Sequence, residues 1–116
     1  MDKIEAKYLI GLQYTKKKEG VSSFHLGDIS YQFTDIEKNF NGLQLAKQVS
    51  ILTNNPLVKF KDLNDVYTLS VNMFDELLAK IILDGNSLWE KKISKYEALE
   101  SASTDKEIED IVNSNW

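Results

Sequence analysis

The chain has no cysteine, no arginine, one proline and one histidine among its 116 residues. The lack of cysteine excludes disulfides, thiolate nucleophiles and zinc–sulfur or iron–sulfur sites. A single histidine, His25, excludes the metal sites and dyads that need two. All 14 basic residues are lysine, so no guanidinium is present for bidentate recognition of phosphate or guanine. These absences argue against an enzyme, and we expect neither a cofactor nor a metal ion.

Long apolar runs are also missing. No window reaches 18 apolar residues, and the N-terminus lacks the apolar core of a signal peptide. We therefore expect a soluble, cytoplasmic protein with no membrane partner. Hydrophobic residues make up 42% of the chain, and the formal net charge is −4. This composition predicts a single folded domain over residues 1–116.

The N-terminal third predicts a small antiparallel sheet. Alternating apolar residues between Ile4 and Tyr14 favour a strand, although Ile4, Tyr8 and Leu12 also fit a helix. The stretch 21–33 keeps period two on both sides of Gly27, which predicts a strand pair with a turn or bulge there.

Beyond residue 33 the pattern becomes helical. Thr34 with Glu37 forms a potential capping box, but residues 44–52 fit a third strand as well as a helix. From Asp62, interpreted as an N-cap, a long apolar stripe predicts a helix ending at 84–85. A further helix and a short final helix, with a capping box at Thr104, complete the chain. We predict an α+β fold, a small sheet packed on two or three C-terminal helices; an all-α fold is the alternative.

Two features could form a binding surface. Lys16, Lys17 and Lys18 are the densest basic patch and follow Tyr14, which offers a stacking surface, although a solvated hairpin tip also explains them. Trp116 follows a polar Asn-Ser-Asn, so its ring either folds back or contacts a partner. The other tryptophan, Trp89, lies on an apolar stripe and is interpreted as core.

The remaining polar residues match no known site pattern. His25, between Phe24 and Leu26, is interpreted as a structural histidine, because no nucleophile motif accompanies it. The spacing of Asp28, Asp35 and Glu37 fits neither a calcium loop nor a zinc helix. The isolated glycines give no phosphate-binding loop.

Three functional hypotheses follow. The first is a non-enzymatic protein-binding module, an inhibitor, adaptor or assembly chaperone; it is motivated by the missing catalytic residues and by a net charge of +3 over residues 1–61 against −7 over 62–116. A phage or other mobile element fits such a chain, including as an antagonist of a host defence protein. The second is a nucleic-acid-associated regulator using Lys16–Lys18, which the acidic net charge disfavours. The third is a small ligand-binding domain or enzyme centred on His25. The partner's identity and homo-oligomerisation stay open.

Overall fold

The structure, a computed structural model, describes all 116 residues and has an α+β fold, as predicted. It contains four helices and two antiparallel sheets of two strands each. In chain order the elements are α1 (Lys3–Glu19), β1 (Val21–Leu26), β2 (Ile29–Thr34), α2 (Ile36–Leu52), β3 (Leu57–Lys61), β4 (Val66–Ser70), α3 (Val71–Ser101) and α4 (Asp105–Asn113). None of the helices combines the length and apolar content needed to cross a membrane.

The chain divides into two compact units. Unit 1 comprises residues 1–18 and 86–116, and unit 2 comprises residues 19–85. Helix α3 contributes its first half to unit 2 and its second half to unit 1. Cooperative folding as one domain remains a prediction.

Unit 2 contains both hairpins. Strand β1 pairs with β2 from Val21 opposite Thr34 to Leu26 opposite Ile29, which leaves a two-residue turn. Gly27, the first residue of this turn, has φ of +58° and Asp28 does not have a positive φ, the pattern of a type II′ turn. The prediction of a strand pair with a turn at Gly27 is confirmed.

Aromatic side chains form much of the core of unit 2. The ring centroid of Phe60 lies within 6.2 Å of those of Tyr31, Phe33 and Phe74. Two hydrogen bonds fix β2 beside the β3–β4 turn: the Gln32 N–H donates to the Asp62 carboxylate (2.9 Å), and the Leu63 N–H donates to the Gln32 carbonyl oxygen (2.7 Å). The buried residues of this core are Phe24, Leu26, Tyr31, Phe33, Ile36, Leu43, Val58, Phe60, Leu69, Phe74, Leu77, Leu78 and Ile81.

Unit 1 is helical. Its core consists of small and aliphatic residues from α1, the second half of α3, the connection between α3 and α4, and α4: Ala6, Ile10, Leu99, Ala102, Ile108 and Val112. Helix α4 begins at the predicted N-cap, where the Thr104 hydroxyl accepts from the Glu107 N–H. The Glu107 carboxylate accepts in return from the N–H of Ser103, one residue before the N-cap.

Several local predictions were wrong. Residues 4–14 belong to α1, so the first sheet covers 21–34 in place of 4–33. Residues 44–52, which fit a third strand as well as a helix, belong to α2. Helix α2 is capped by Asp35, whose carboxylate accepts from the Lys38 N–H, one residue after the predicted cap. Asp62 lies in the turn of a hairpin, and α3 continues through residue 85.

Candidate functional site

The structure brings together the two ends of the predicted binding surface. Tyr14 lies in the second-to-last turn of α1, and Trp116 lies three residues beyond α4. Their ring centroids are 6.3 Å apart in unit 1. The Lys18 ammonium lies 5.5 Å from the Tyr14 ring centroid, within the range of a cation–π interaction. Residues far apart in sequence therefore share one surface.

Trp116 is folded back onto its own chain. Its indole N–H donates to the Gln13 side-chain oxygen (3.0 Å), and its carbonyl oxygen accepts from the Lys91 ammonium. The ring packs against the core of unit 1 and is half-buried. Of the two outcomes expected for this tryptophan, the structure shows attachment to the fold.

The sequence analysis missed Trp89 as a surface residue. Its side chain is 48% exposed, and its ring meets Tyr14 edge-on at a centroid distance of 6.1 Å. The assignment of Trp89 to the core was therefore wrong. A signal was present in the sequence: Lys92 follows Trp89 by three residues, a spacing that places both on one face of a helix.

Lys92 lies at the centre of the aromatic residues. Its ammonium is 4.7 Å from the ring centroid of Tyr14, 5.0 Å from that of Trp89 and 5.6 Å from that of Tyr96. Each such contact is worth roughly 0.5–1 kcal/mol when exposed and more when desolvated. Lys92 therefore restrains the exposed Trp89 ring against Tyr14.

Lys95 connects α3 to the end of α4. It is only 6% exposed, and its ammonium donates to the carbonyl oxygens of Ser114 (2.7 Å) and Ile111 (3.4 Å). It also lies 4.6 Å from the Trp116 ring centroid. Burial, and then the charge of Lys91, lower the pKa of Lys95 from its ordinary value. The side chain therefore joins the second half of α3 to the last turn of α4 and to the residue that follows it.

These six residues, Tyr14, Lys18, Trp89, Lys92, Lys95 and Trp116, are called the aromatic–lysine cluster below. Three exposed lysines are its sequence neighbours: Lys16, Lys17 and Lys91, the rim lysines. The segments 14–18, 89–95 and 116 contain six lysines and one acid, Glu90. The surface thus combines an exposed indole with a local excess of positive charge.

A groove of about 360 Å³ lies within unit 1, next to the cluster. Two of its lining residues are Lys95 of the cluster and the rim lysine Lys91. The other lining residues come from α3, α4 and the segment after α4: Ser94, Ala98, Asp110, Ile111, Ser114 and Asn115. The groove gives the surface a concave region beside Lys95, at the Trp116 end of the cluster.

His25 lies elsewhere, in unit 2. It is exposed on β1, on the opposite face to the buried Phe24 and Leu26, and only its backbone carbonyl has a partner, the Lys80 ammonium. The Asp35 carboxylate caps α2, where it accepts from the Lys38 N–H. No group of three or more His, Asp and Glu side chains is arranged to hold a metal ion.

Comparison of the chain with protein-family models, with curated proteins and with solved structures finds no match.

Proposed function

We propose that this chain is a non-enzymatic protein-binding module and that the aromatic–lysine cluster is its binding surface. One observation carries the proposal: Trp89 is 48% exposed and is yet restrained by Tyr14 and Lys92. Tryptophan is enriched among the residues that dominate binding energy at interfaces. A ring already restrained in the free protein loses little freedom on binding, which favours affinity.

The surroundings of the aromatic–lysine cluster support the same function. A binding hot spot is an apolar anchor surrounded by groups that contact the partner and exclude water. Here Lys91 and the groove of about 360 Å³ lie beside the cluster. An inhibitor, an adaptor and an assembly chaperone all act through a surface of this kind, and we propose a role of that type.

The test compares three tagged baits in a lysate of the source cells, each treated with nuclease. The baits are the wild-type chain, Trp89→Ala and the matched control Leu83→Ala, which removes another exposed apolar side chain of α3 (67% exposed). We expect one stoichiometric protein with the wild-type and Leu83→Ala baits and at least a tenfold loss with Trp89→Ala. Equal recovery with all three baits, or no recovery with wild type, contradicts the proposal.

Circular dichroism of the three baits provides the folding control. Leu83→Ala should change the melting temperature by no more than about 2 °C, roughly 0.5 kcal/mol, because Leu83 is 67% exposed. Trp89→Ala also loses the contacts with Tyr14 and Lys92, so its melting temperature should fall by about 4–8 °C, roughly 1–2 kcal/mol, while its helix content stays that of wild type. A loss of binding by a folded Trp89→Ala chain then reports on the surface itself.

The second candidate is a regulator that binds single-stranded nucleic acid, which lysines beside aromatic rings favour. Its expected signature is retention by an oligothymidylate column that falls steeply with added salt. A bait that recovers only nuclease-sensitive material would support this candidate in place of the first.

A further inference from the structure

The charge around Trp89 indicates which chemistry the surface recognises. We propose that the aromatic–lysine cluster binds an acidic segment of a partner protein, with carboxylates against the rim lysines and an apolar side chain against Trp89. This inference rests on the proposed function and specifies its partner class.

The rim lysines are the part of the surface able to form new ion pairs. Lys16 and Lys17 are exposed in the last turn of α1, and their side chains make no hydrogen bond or ion pair with the chain. Lys91 is exposed and donates only to the carbonyl oxygen of Trp116. Glu90 is the one acid in these segments and Asp110 lines the groove beside Lys91, so six lysines outnumber two acids and the rim attracts carboxylates and repels basic partners.

The cluster lysines have a different role. Lys92 and Lys95 are held by aromatic rings, and Lys95 also donates to two carbonyl oxygens. They therefore fix the shape of the surface, whereas the rim lysines supply its charge. This division predicts that charge changes at the rim alter affinity without altering the fold.

An acidic protein segment fits this surface better than nucleic acid does. A stacking platform needs open ring faces for successive bases. Trp89 is the more exposed of the two tryptophans, Lys92 lies over its ring at 5.0 Å from the centroid, and Tyr14 packs against it with 70° between the ring planes. Lysine also lacks the fork that binds phosphate in a bidentate manner. A carboxylate can pair with a single ammonium, and the exposed part of one indole is enough to receive an aliphatic side chain.

The test uses synthetic peptides and the purified full-length chain. The probe is a capped peptide of glutamates with interspersed leucines, and the comparison peptides replace glutamate by lysine or by glutamine. Indole fluorescence and calorimetry measure binding in low and high salt. We expect saturable binding of the glutamate peptide that weakens with salt, and no saturable binding of the lysine peptide.

Two double variants locate the binding site. Lys16→Glu with Lys17→Glu should weaken binding of the glutamate peptide about tenfold or more, since a loss of about 1.4 kcal/mol is tenfold. Lys59→Glu with Lys61→Glu, on exposed positions of β3, makes the same change in net charge and should leave binding unchanged within about twofold. Because glutamate is unfavourable at a helix C-terminus, Lys16→Gln with Lys17→Gln serves as a second variant with an intermediate loss.

Three results would overturn the inference. They are an equal loss in both charge-reversed variants, equal binding of the glutamine peptide, and binding of oligothymidylate tighter than that of the glutamate peptide. The failure of the inference differs from the failure of the proposed function. If the peptide does not bind but a protein is still captured in a Trp89-dependent manner, the partner is not acidic and the function stands. If capture does not depend on Trp89, the function itself is wrong.

Discussion

The hydroxyl of Tyr31 is the one buried side-chain polar atom in the structure without a hydrogen-bond partner. Tyr31 is fully buried, with its ring 4.6 Å from that of Tyr67 and 5.7 Å from that of Phe60. A buried polar group without a partner costs about 1–3 kcal/mol, because it loses water and gains nothing in return. Tyr31→Phe removes the hydroxyl and keeps the ring, so we expect the variant to be more stable than wild type.

The size of the effect can be estimated from the length of the chain. For 116 residues the entropy of unfolding is about 0.24 kcal/mol per kelvin, so a gain of about 1 kcal/mol raises the melting temperature by about 4 °C. The measurement is thermal and urea unfolding at pH 7, with Tyr67→Phe as the matched control because Tyr67 is only half-buried. A melting temperature several degrees below wild type for Tyr31→Phe would show that the hydroxyl has a stabilising partner, and would refute the reasoning.

The same hydroxyl predicts a dependence on alkaline pH. Burial, and then the negative charge of Asp62, raise the pKa of Tyr31 above its ordinary value near 10. Above that value the unfolded chain loses the proton while the folded chain keeps it, so the free energy of unfolding falls as pH rises. Below the ordinary value both states are protonated and the effect vanishes. The advantage of Tyr31→Phe over wild type should therefore grow above pH 10.

Other predictions concern local structure and cooperativity. Gly42→Ala should stabilise α2 by up to about 1 kcal/mol, because the added Cβ meets open space, whereas Gly27→Ala should destabilise the chain by about 1–2 kcal/mol owing to its φ of +58°; urea unfolding measures both, and equal effects would contradict the turn geometry. Trp116→Ala should lower the free energy of unfolding by about 1–2 kcal/mol, because a half-buried ring loses its contacts; an unchanged urea midpoint would show that the ring is not held. If residues 1–116 unfold as one domain, Ile10→Ala in unit 1 and Leu77→Ala in unit 2 should each lower the free energy of unfolding of one common transition by about 2–4 kcal/mol. Two separate transitions in calorimetry would show that the units unfold independently.

The sequence predicted the β1–β2 hairpin and α4 because their local chemistry allows one solution. A glycine at the first turn position between two alternating segments specifies a tight hairpin. Thr104 and Glu107 at capping-box spacing specify a helix start. At both places the side-chain pattern and the backbone requirement agree, so the local sequence specifies the secondary structure without help from tertiary contacts.

Asp62 shows why the second hairpin was missed. Its carboxylate accepts from the backbone N–H groups of Asn64 (2.8 Å) and Asp65 (2.7 Å). The same chemistry serves an N-cap and a turn, because both present unpaired N–H groups two and three residues after an aspartate. Residues 63–70 also satisfy a helical stripe. Residues 66–70 form a strand and not a helix because they pair with residues 57–61, and the periodicity of one segment does not reveal such a contact.

The first helix was predicted as a strand for a different reason. Apolar residues occupy both faces of residues 4–14, so alternation and helical spacing fit equally well. In α1 the buried residues are Ala6 and Ile10, while Ile4 and Tyr8 are exposed. Unit 1 therefore buries only some of the apolar side chains of residues 4–14. Intrinsic strand preference is a weak effect that such packing overrides.

The candidate site was partly predictable from the sequence. The exposure of Trp89 was not, and it follows from how far α4 extends along α3. The apolar stripe of α3 runs from Trp89 to Leu99, and its exposure falls from 48% at Trp89 to 1% at Leu99. The last turn of α4 ends beside Lys95, whose ammonium bonds the carbonyl groups of Ile111 and Ser114. Trp89 lies six residues earlier, about 9 Å along the helix, beyond that contact. A stripe that is longer than the helix covering it leaves its largest side chain exposed, and a binding surface can form there from residues that the sequence pattern assigns to a core.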